Sequence, residues 1–355
     1  RERPFVTGKV EVSHLTWTPD SRQIAFLAKR GEDKTKALYL IPIDGGEARK
    51  AVALKSDIQR FSFAPDGQRV AVVASEPEPE TRKKQKDKGF TQEIFEEDWQ
   101  YHRLWVLPTF VEVSDPKPLR LEGHVHQIEW RPGQEQLAVS LTPTPAVDDS
   151  YVRQRLRIVN AATGEVLVGV ENPGKLKLFR WSPDGRRLVM IAAEDIHDPS
   201  PGRLFTVDPE TGRFVDLIPH YEGQVEDLAW VTPDRLLVLC SEGVHTVLYE
   251  LAWVQDPPQR RRLLGPEGPI LDSISAGGSR PVIAFTGNGP THPSELYLWK
   301  ENEVVPRRMT DSNPWLAQRR LAQQEVISWK ARDGLELEGI LIRRLDDNAK
   351  PGPLI

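Results

Sequence analysis

The chain has 355 residues, of which 39% are hydrophobic and 28% are charged, and its formal net charge is −5. This composition is that of a soluble globular protein and argues against fibrous or disordered chains. The acidic balance disfavours nucleic acid and anionic membranes as partners. Cys240 is the single cysteine, which excludes an intrachain disulfide and a cysteine-based zinc site, and we expect a buried thiol there.

The sequence predicts neither a membrane-spanning segment nor a signal peptide at its start. No apolar run reaches the roughly 20 residues that span a bilayer, and the opening Arg1–Pro4 does not resemble a signal peptide. Because the chain does not begin with methionine, we expect it to be part of a longer or processed protein. We favour the cytoplasm over the periplasm, and export stays open.

A repeat runs along most of the chain: an aromatic residue, a turn of Pro, Asp or Gly, and then a short aliphatic run. Its copies are Trp17–Asp20, Phe63–Gly67, Trp130–Gly133, Trp181–Gly185, Trp230–Asp234 and a degraded sixth, Ile274–Gly278. Proline presets φ, aspartate caps the turn and glycine accepts positive φ, so each copy predicts a β-hairpin.

Further runs after each hairpin predict a third and a weaker fourth strand, which together make one propeller blade. The copies are spaced by 44 to 51 residues, except for one interval of 67, as blade repeats are. The sequence therefore predicts an all-β fold, a β-propeller over residues 1–310, with blades near residues 11–56, 57–122, 123–172, 173–222, 223–266 and 267–310.

The long interval contains an insertion from Glu76 to about Gln100, whose charged runs predict a solvated loop. The opening segment Arg3–Thr7 resembles the fourth-strand segment Arg307–Thr310 more than a first strand. Residues 1–10 are therefore predicted to end an earlier blade. We expect seven blades in the parent protein, about six of them full in this chain, with a gap or a stray strand where the seventh belongs.

The repeat stops after Thr310. Residues 311–323 predict a hinge helix, with its helical part over Trp315–Gln323. Two alternating runs, Glu325–Lys330 and Leu335–Ile342, then predict a hairpin that belongs to no blade and presents an unpaired edge.

These last segments carry a resemblance to a known family. Residues Thr310–Asn313, Trp329–Gly334, Leu337–Leu341 and Lys350–Ile355 resemble the hinge and first hydrolase strands of the prolyl oligopeptidase family of serine peptidases. The acylaminoacyl peptidase and dipeptidyl aminopeptidase subgroup is the nearest. The resemblance implies that residues 324–355 begin a C-terminal α/β-hydrolase domain that is truncated here.

The same resemblance implies a function. The family's oxyanion-hole motif and Gly-x-Ser-x-Gly elbow lie beyond the segment that Ile355 matches, and no such elbow occurs in this chain. We therefore expect a parent enzyme that hydrolyses short peptides. We assign no catalytic residue, metal or cofactor to this chain, which should be inactive alone while its propeller gates and orients the substrate.

The expected partners are the protein's own hydrolase domain and short peptides, and homo-oligomerisation stays open. The alternative is a non-enzymatic binding propeller of the Tol type that docks a protein partner.

Three acids of the insertion are candidate substrate ligands: Glu93, Glu96 and Glu97. They resemble the glutamate pair with which dipeptidyl peptidases hold a substrate's free amine; the alternative is a surface or domain-contact role. His124 and His126 share one face of an extended segment, a spacing that could suit a metal. With no further ligand indicated, an ordinary strand start is the preferred interpretation.

Overall fold

The computed structural model describes residues 5–92, 96, 99–197, 199–277, 282–301 and 303–345. The chain divides into two compact units, residues 1–200 with 205–215 and residues 201–204 with 216–355. Its described part is almost entirely β-structure: six successive antiparallel sheets, the blades of a propeller, and a separate two-stranded sheet. The predicted all-β propeller is confirmed. None of the described helices is long and apolar enough to cross a membrane.

In each blade the strands lie side by side in chain order. Blade 1 contains β1 (Val12–Trp17), β2 (Gln23–Ala28), β3 (Ala37–Pro42) and β4 (Arg49–Val52). Blade 2 contains β5 (Ile58–Phe63), β6 (Arg69–Ser75) and β7 (His102–Pro108). Blade 3 contains β8 (His124–Trp130), β9 (Gln136–Thr142), β10 (Arg155–Asn160) and β11 (Val166–Val170). Helices α1 (Glu80–Asp87) and α2 (Val147–Val152) lie between the second and third strands of blades 2 and 3.

The division between the units runs through blade 4, which contains β12 (Leu176–Trp181), β13 (Leu188–Ala192), β14 (Arg203–Val207) and β15 (Phe214–Asp216). Blade 5 contains β16 (Gln224–Thr232), β17 (Arg235–Glu242), β18 (His245–Ala252) and β19 (Gln259–Leu264). Blade 6 contains β20 (Ile270–Gly277), β21 (Val282–Gly289), β22 (His292–Trp299) and β23 (Arg307–Arg308). A 3-10 helix (Pro314–Gln318) then precedes β24 (Gln324–Lys330) and β25 (Glu336–Ile342).

The turn between β12 and β13 shows why the repeat folds as a hairpin. The Ser182 hydroxyl donates to Oδ1 of Asp184 at 2.6 Å, and the same oxygen accepts the Arg186 N–H at 3.1 Å. Gly185 has a φ of +69°, and a Cβ there would collide with the carbonyl oxygen of Pro132. The last turn position therefore needs glycine on two independent grounds.

Apolar clusters between neighbouring blades form the core. The second strands are buried on both faces, as in β13, where all five residues are buried. The anchor tryptophans pack against the preceding blade: Trp130 joins the cluster of Ala71 and Leu104 from blade 2. Trp130 and Trp181 are each 4% exposed, whereas Trp17, which opens the first copy, is 50% exposed. Among the described residues of its unit no sheet precedes blade 1, so Trp17 has no earlier blade to pack against there.

Blade 2 departs from the four strands predicted for every blade. It is three-stranded, and between Thr109 and Glu122 only a single ladder-like bond, from the Leu119 N–H to the Leu104 carbonyl at 2.7 Å, follows β7. Pro116 and Pro118 lack the N–H that a strand there would need. A cavity of about 1020 Å³ lies beside β7, lined in part by Trp105 and the 110–118 segment.

Three other segments also differ from the predictions. Phe5–Thr7 form no strand, and Phe5 and Val6 pack on the apolar cluster of blade 1. The predicted helix over Trp315–Gln323 is instead the short 3-10 helix, since Arg319 is already extended. The insertion predicted as a loop contains α1, which buries none of its residues. A segment rich in Lys, Glu and Gln favours a helix without any tertiary packing, which explains α1.

The first strands of blades 2 and 3, of blades 3 and 4, and of blades 5 and 6 contact one another, and we call the first strand of each blade its inner strand. They share no β-ladder. Instead, a side chain on one first strand accepts the backbone N–H of the anchor residue on the next blade. The pairs are Ser62 with Trp130 (2.9 Å), Glu129 with Trp181 (3.1 Å) and Asp227 with Ile274 (3.0 Å). We call these contacts the inter-blade hydrogen bonds.

We expect Ser62→Ala to lower the free energy of unfolding by about 1–2 kcal/mol, because the buried Trp130 N–H loses its acceptor. Urea unfolding followed by tryptophan fluorescence measures the change. Thr16→Ala is the matched control: Thr16 holds the same position in β1, is exposed, and its side chain has no hydrogen-bond partner in the described part of the chain. Equal, small effects of both substitutions would contradict the role of the inter-blade bond.

Candidate functional site

The acids singled out from the sequence lie in the insertion of blade 2. Glu96 is exposed and sits in a turn with a φ of +62°. A left-handed backbone is uncommon for a residue other than glycine. Glu93 and Glu97 lie outside the described residues. The amine-anchor hypothesis for these three glutamates therefore stays a prediction.

A cluster of imidazoles lies where β1, β5, β7 and β8 come together in the first unit. The ring of His124 stacks on that of His102, with centroids 4.4 Å apart, and contacts that of His126 at 4.7 Å. His14 joins through its Nε2, which lies 3.1 Å from Nη1 of Arg60. We call His14, Arg60, His102, His124 and His126 the imidazole cluster.

Hydrogen bonds assign the tautomers of three of these rings. The backbone N–H of His102 donates to Nδ1 of His124 at 3.1 Å, so a neutral His124 carries its proton on Nε2. The Thr142 hydroxyl donates to a carbonyl at 2.6 Å, so its oxygen accepts from Nε2 of His126 at 2.9 Å. A guanidinium can only donate, so Nε2 of His14 is the acceptor.

Burial and positive neighbours keep the imidazoles neutral. Burial is the largest cause in each ring: it lowers the pKa of His124 to about 3 and that of His126 to about 4. Burial also lowers the pKa of His102 and His14, and the charge of Arg60 acts in the same direction on both. The cluster is therefore a set of neutral rings around a charged guanidinium at neutral pH.

The two histidines considered as a metal pair make other contacts. Nδ1 of His124 and Nε2 of His126 are both engaged in hydrogen bonds. Within the ranges that the structure describes, no three His, Cys, Asp or Glu side chains are placed to hold one metal ion. His102 and His14 could not be linked to this pair from the sequence, because they lie on strands of other blades.

Glu129 is a second polar feature of the inner strands, and sequence reasoning missed it. Its Oε1 accepts the Trp181 N–H, while its Oε2 is sealed from solvent and lacks a hydrogen-bond partner in the described structure. The nearest cation is Arg180, whose Nη1 lies 3.8 Å from Oε2. Desolvation raises the pKa of Glu129 to about 7, against the opposing effects of Arg180 and the Trp181 N–H.

Cys240 lies in the second unit, on β17, and is fully buried, as predicted. Burial raises the pKa of its thiol to about 12, so the thiol is inert at neutral pH. Nearby, the hydroxyls of Tyr221 and Tyr249 both donate to Oε1 of Glu242, at 2.9 and 2.7 Å. These groups border a cavity of about 570 Å³ that Arg260 also lines.

Solved structures of peptidases have a similar fold. The chain superposes on the acylaminoacyl peptidase of Pyrococcus horikoshii with a TM-score of 0.66 and 18% identity, covering 94% of this chain and 50% of that one. A structure from a study of two prolyl endopeptidases gives 0.64 and 15%, with 96% and 47% covered. A puromycin-hydrolyzing peptidase of Mycobacterium tuberculosis gives 0.63 and 15%, with 97% and 52% covered.

The similarity in sequence is more limited. An uncharacterized peptidase of Bacillus subtilis, YuxL, is 32% identical over 78 residues, which are 22% of this chain and 12% of that protein. No family model matches the chain. The chain thus spans about half the length of the solved peptidases it matches. The resemblance to acylaminoacyl peptidases and prolyl oligopeptidases is confirmed over the propeller part, where these neighbours have the same fold.

We expect Glu129→Gln to remove a pH-dependent loss of stability. The folded-state pKa is raised to about 7, so the stabilising contribution of the protonated acid is complete below its ordinary value near 4.3 and is lost as the pH rises through 7. Glutamine keeps the acceptor for Trp181 and carries no charge. Relative to the unmodified protein, the variant should gain about 2 kcal/mol in free energy of unfolding between pH 5 and pH 8.

Urea unfolding at both pH values measures this gain. Glu129→Ala is the control, since it also removes the acceptor and should destabilise the protein at pH 5. A glutamine variant whose difference from the unmodified protein is the same at pH 5 and pH 8 would refute the assignment.

Proposed function

We propose that this chain is the propeller part of a serine peptidase of the prolyl oligopeptidase family, which cleaves short peptides in the manner of acylaminoacyl peptidases or dipeptidyl aminopeptidases. The propeller gates access and orients the substrate. The Ser-His-Asp triad belongs to a hydrolase domain outside this chain.

The separate hairpin is the observation that carries the proposal. β24 and β25 pair only with each other in the described structure. Val326, Ile340 and Ile342 are 46%, 51% and 62% exposed on one face, and Ile327 and Trp329 are 37% and 46% exposed on the other. An isolated two-stranded hairpin is marginally stable at best in water. Apolar side chains on both of its faces support a further domain that covers it.

The position of this hairpin supports a location for that domain. Glu338 lies against Gly243 in the turn between β17 and β18, and Leu316 and Leu321 border the turn between β21 and β22. The hairpin and hinge therefore stand at the end of the second unit that carries the connections from second to third strands. This supports a further domain at that end of the second unit.

Labelling of the full-length protein with a fluorophosphonate tests the triad. We expect one labelled serine outside residues 1–355, because the activated serine of an acyl-transfer site needs the elbow and oxyanion hole that this chain lacks. Tryptic mapping by mass spectrometry locates the label. The chain of residues 1–355 alone should give no labelling and no hydrolysis of acyl-peptide or aminoacyl-nitroanilide substrates.

A label on a serine within residues 1–355 would contradict the assignment of domains. A full-length protein that neither reacts nor hydrolyses any short peptide would contradict the peptidase proposal and favour the binding propeller of the Tol type.

The glutamates of the insertion are tested by separate Glu93→Gln, Glu96→Gln and Glu97→Gln substitutions in the full-length protein. If these acids hold a substrate ammonium, kcat/KM should fall tenfold or more for free-amine peptides and stay unchanged for their N-acylated counterparts, because only the former carry the charge. Glu80→Gln is the control, since Glu80 is an exposed acid of the same insertion. Equal, small effects on both substrate series would reduce the three glutamates to surface acids.

A further inference from the structure

We propose that the imidazole cluster is a carboxylate-binding site centred on Arg60, and that it takes the C-terminal carboxylate of a short peptide. The identity of the ligand as a peptide rests on the proposed function. The binding of a carboxylate rests on the geometry alone.

Arg60 carries a positive charge that no acid of the described structure neutralises. Its side chain makes no ion pair with any acid in the described part of the chain, and its one side-chain hydrogen bond goes to a neutral imidazole, that of His14. A guanidinium without an anionic partner favours an anion from outside. Burial and the charge of Arg180 lower the pKa of Arg60, the direction expected for a cation that lacks a counter-charge.

The acids around the cluster are already engaged. Glu76 accepts from Nε of Arg103 at 2.8 Å, and the same guanidinium donates to the Gly123 carbonyl at 2.7 Å. Oδ1 of Asp57, near the start of β5, accepts the backbone N–H of Lys36 at 2.7 Å. Glu129 faces Arg180 and the Trp181 N–H. None of these acids forms an ion pair with Arg60.

The cluster is accessible from solvent and offers hydrogen-bond donors. Arg60 and His14 are exposed, His102 and His126 are half-buried, and His124 is buried. A ligand can therefore reach Arg60 from solvent, while His124 lies at the buried side of the cluster. The contact with His14 uses Nη1 of Arg60, which leaves Nε and Nη2 for two parallel bonds to a carboxylate. The assigned tautomers place N–H groups at Nδ1 of His14 and Nε2 of His124 as further donors.

The affinity of the cluster for an anion depends on pH. Positive neighbours act on every ring: Arg60 on His14, His102 and His126, Arg103 on His124, and Lys36 on His14. An anion beside Arg60 offsets that charge and raises the pKa of the nearest imidazoles. Binding then takes up protons and becomes tighter as the pH falls.

Isothermal titration calorimetry on the full-length protein tests the site with 4-phenylbutyrate and its amide, 4-phenylbutyramide. Neither probe contains a peptide bond, so hydrolysis does not interfere. We expect the carboxylate to bind at least tenfold more tightly than the amide at pH 7.5, and more tightly still at pH 5.5. Proton uptake on binding should appear as a dependence of the heat on the buffer's ionisation enthalpy.

Arg60→Gln should lower the affinity for the carboxylate at least tenfold, to that of the amide. Arg22→Gln is the matched control, since it removes the same charge from an exposed hairpin turn of blade 1 and should change the affinity less than twofold. His126→Gln should reduce the proton uptake. Equal binding of the carboxylate and the amide, or equal effects of Arg60→Gln and Arg22→Gln, would overturn the site.

Kinetics on peptides with a free or an amidated C-terminus test the peptide ligand. Arg60→Gln should lower kcat/KM at least tenfold for the free-carboxylate series only. Equal effects on both series would overturn the C-terminus as the ligand. If the protein hydrolyses neither series, the proposed function fails, and the calorimetry still decides whether a carboxylate binds.

Discussion

In the described part of the chain no β-ladder joins one blade to the next, so apart from isolated backbone bonds, such as that from the Ile58 N–H to the Lys36 carbonyl, side chains make the contact. Apolar clusters provide most of the contact, with the anchor tryptophans Trp130 and Trp181 packed on the blade before them. The inter-blade hydrogen bonds also fix the alignment of the blades, because each one sets the position of a first strand along the first strand beside it. Apolar packing alone would tolerate a small displacement of one blade along the next. A hydrogen bond to one backbone N–H would be broken by that displacement.

The side chain that accepts an inter-blade hydrogen bond decides whether the contact between the two blades depends on pH. A hydroxyl, as at Ser62, makes the bond without a charge. A carboxylate, as at Glu129, leaves a second oxygen that must also be solvated or paired, and here it is sealed from solvent at 3.8 Å from its nearest cation. The inner strands thus carry an acid with one oxygen that lacks a hydrogen bond, Glu129, and a cation without an acidic partner in the described part of the chain, Arg60.

Much of the fold could be predicted from the sequence because its information is local. Five of the six blades follow from an aromatic anchor and a turn with Pro and Asp or Gly within a few residues, and the hairpin after the hinge follows from simple alternation. The three-stranded blade 2 was not predicted, although Pro116 and Pro118 carry the signal. The imidazole cluster could not be predicted, because His14, His102 and His124 meet only after three blades have packed. Glu129 could not be recognised from the sequence for the same reason, because its partner Trp181 is on another blade.

Because blade 2 has three strands where the other blades have four, it should open locally more easily than they do. β7 is the edge strand of this blade. On the side where the other blades have a fourth strand, it accepts one ladder-like bond, from the Leu119 N–H, and borders a cavity of about 1020 Å³. Local opening costs least where few hydrogen bonds and few apolar contacts must break. The insertion is attached to this blade, between β6 and β7. The strand β7 can therefore open locally, together with the helix α1 that precedes it, while the four-stranded sheet of blade 3 stays intact.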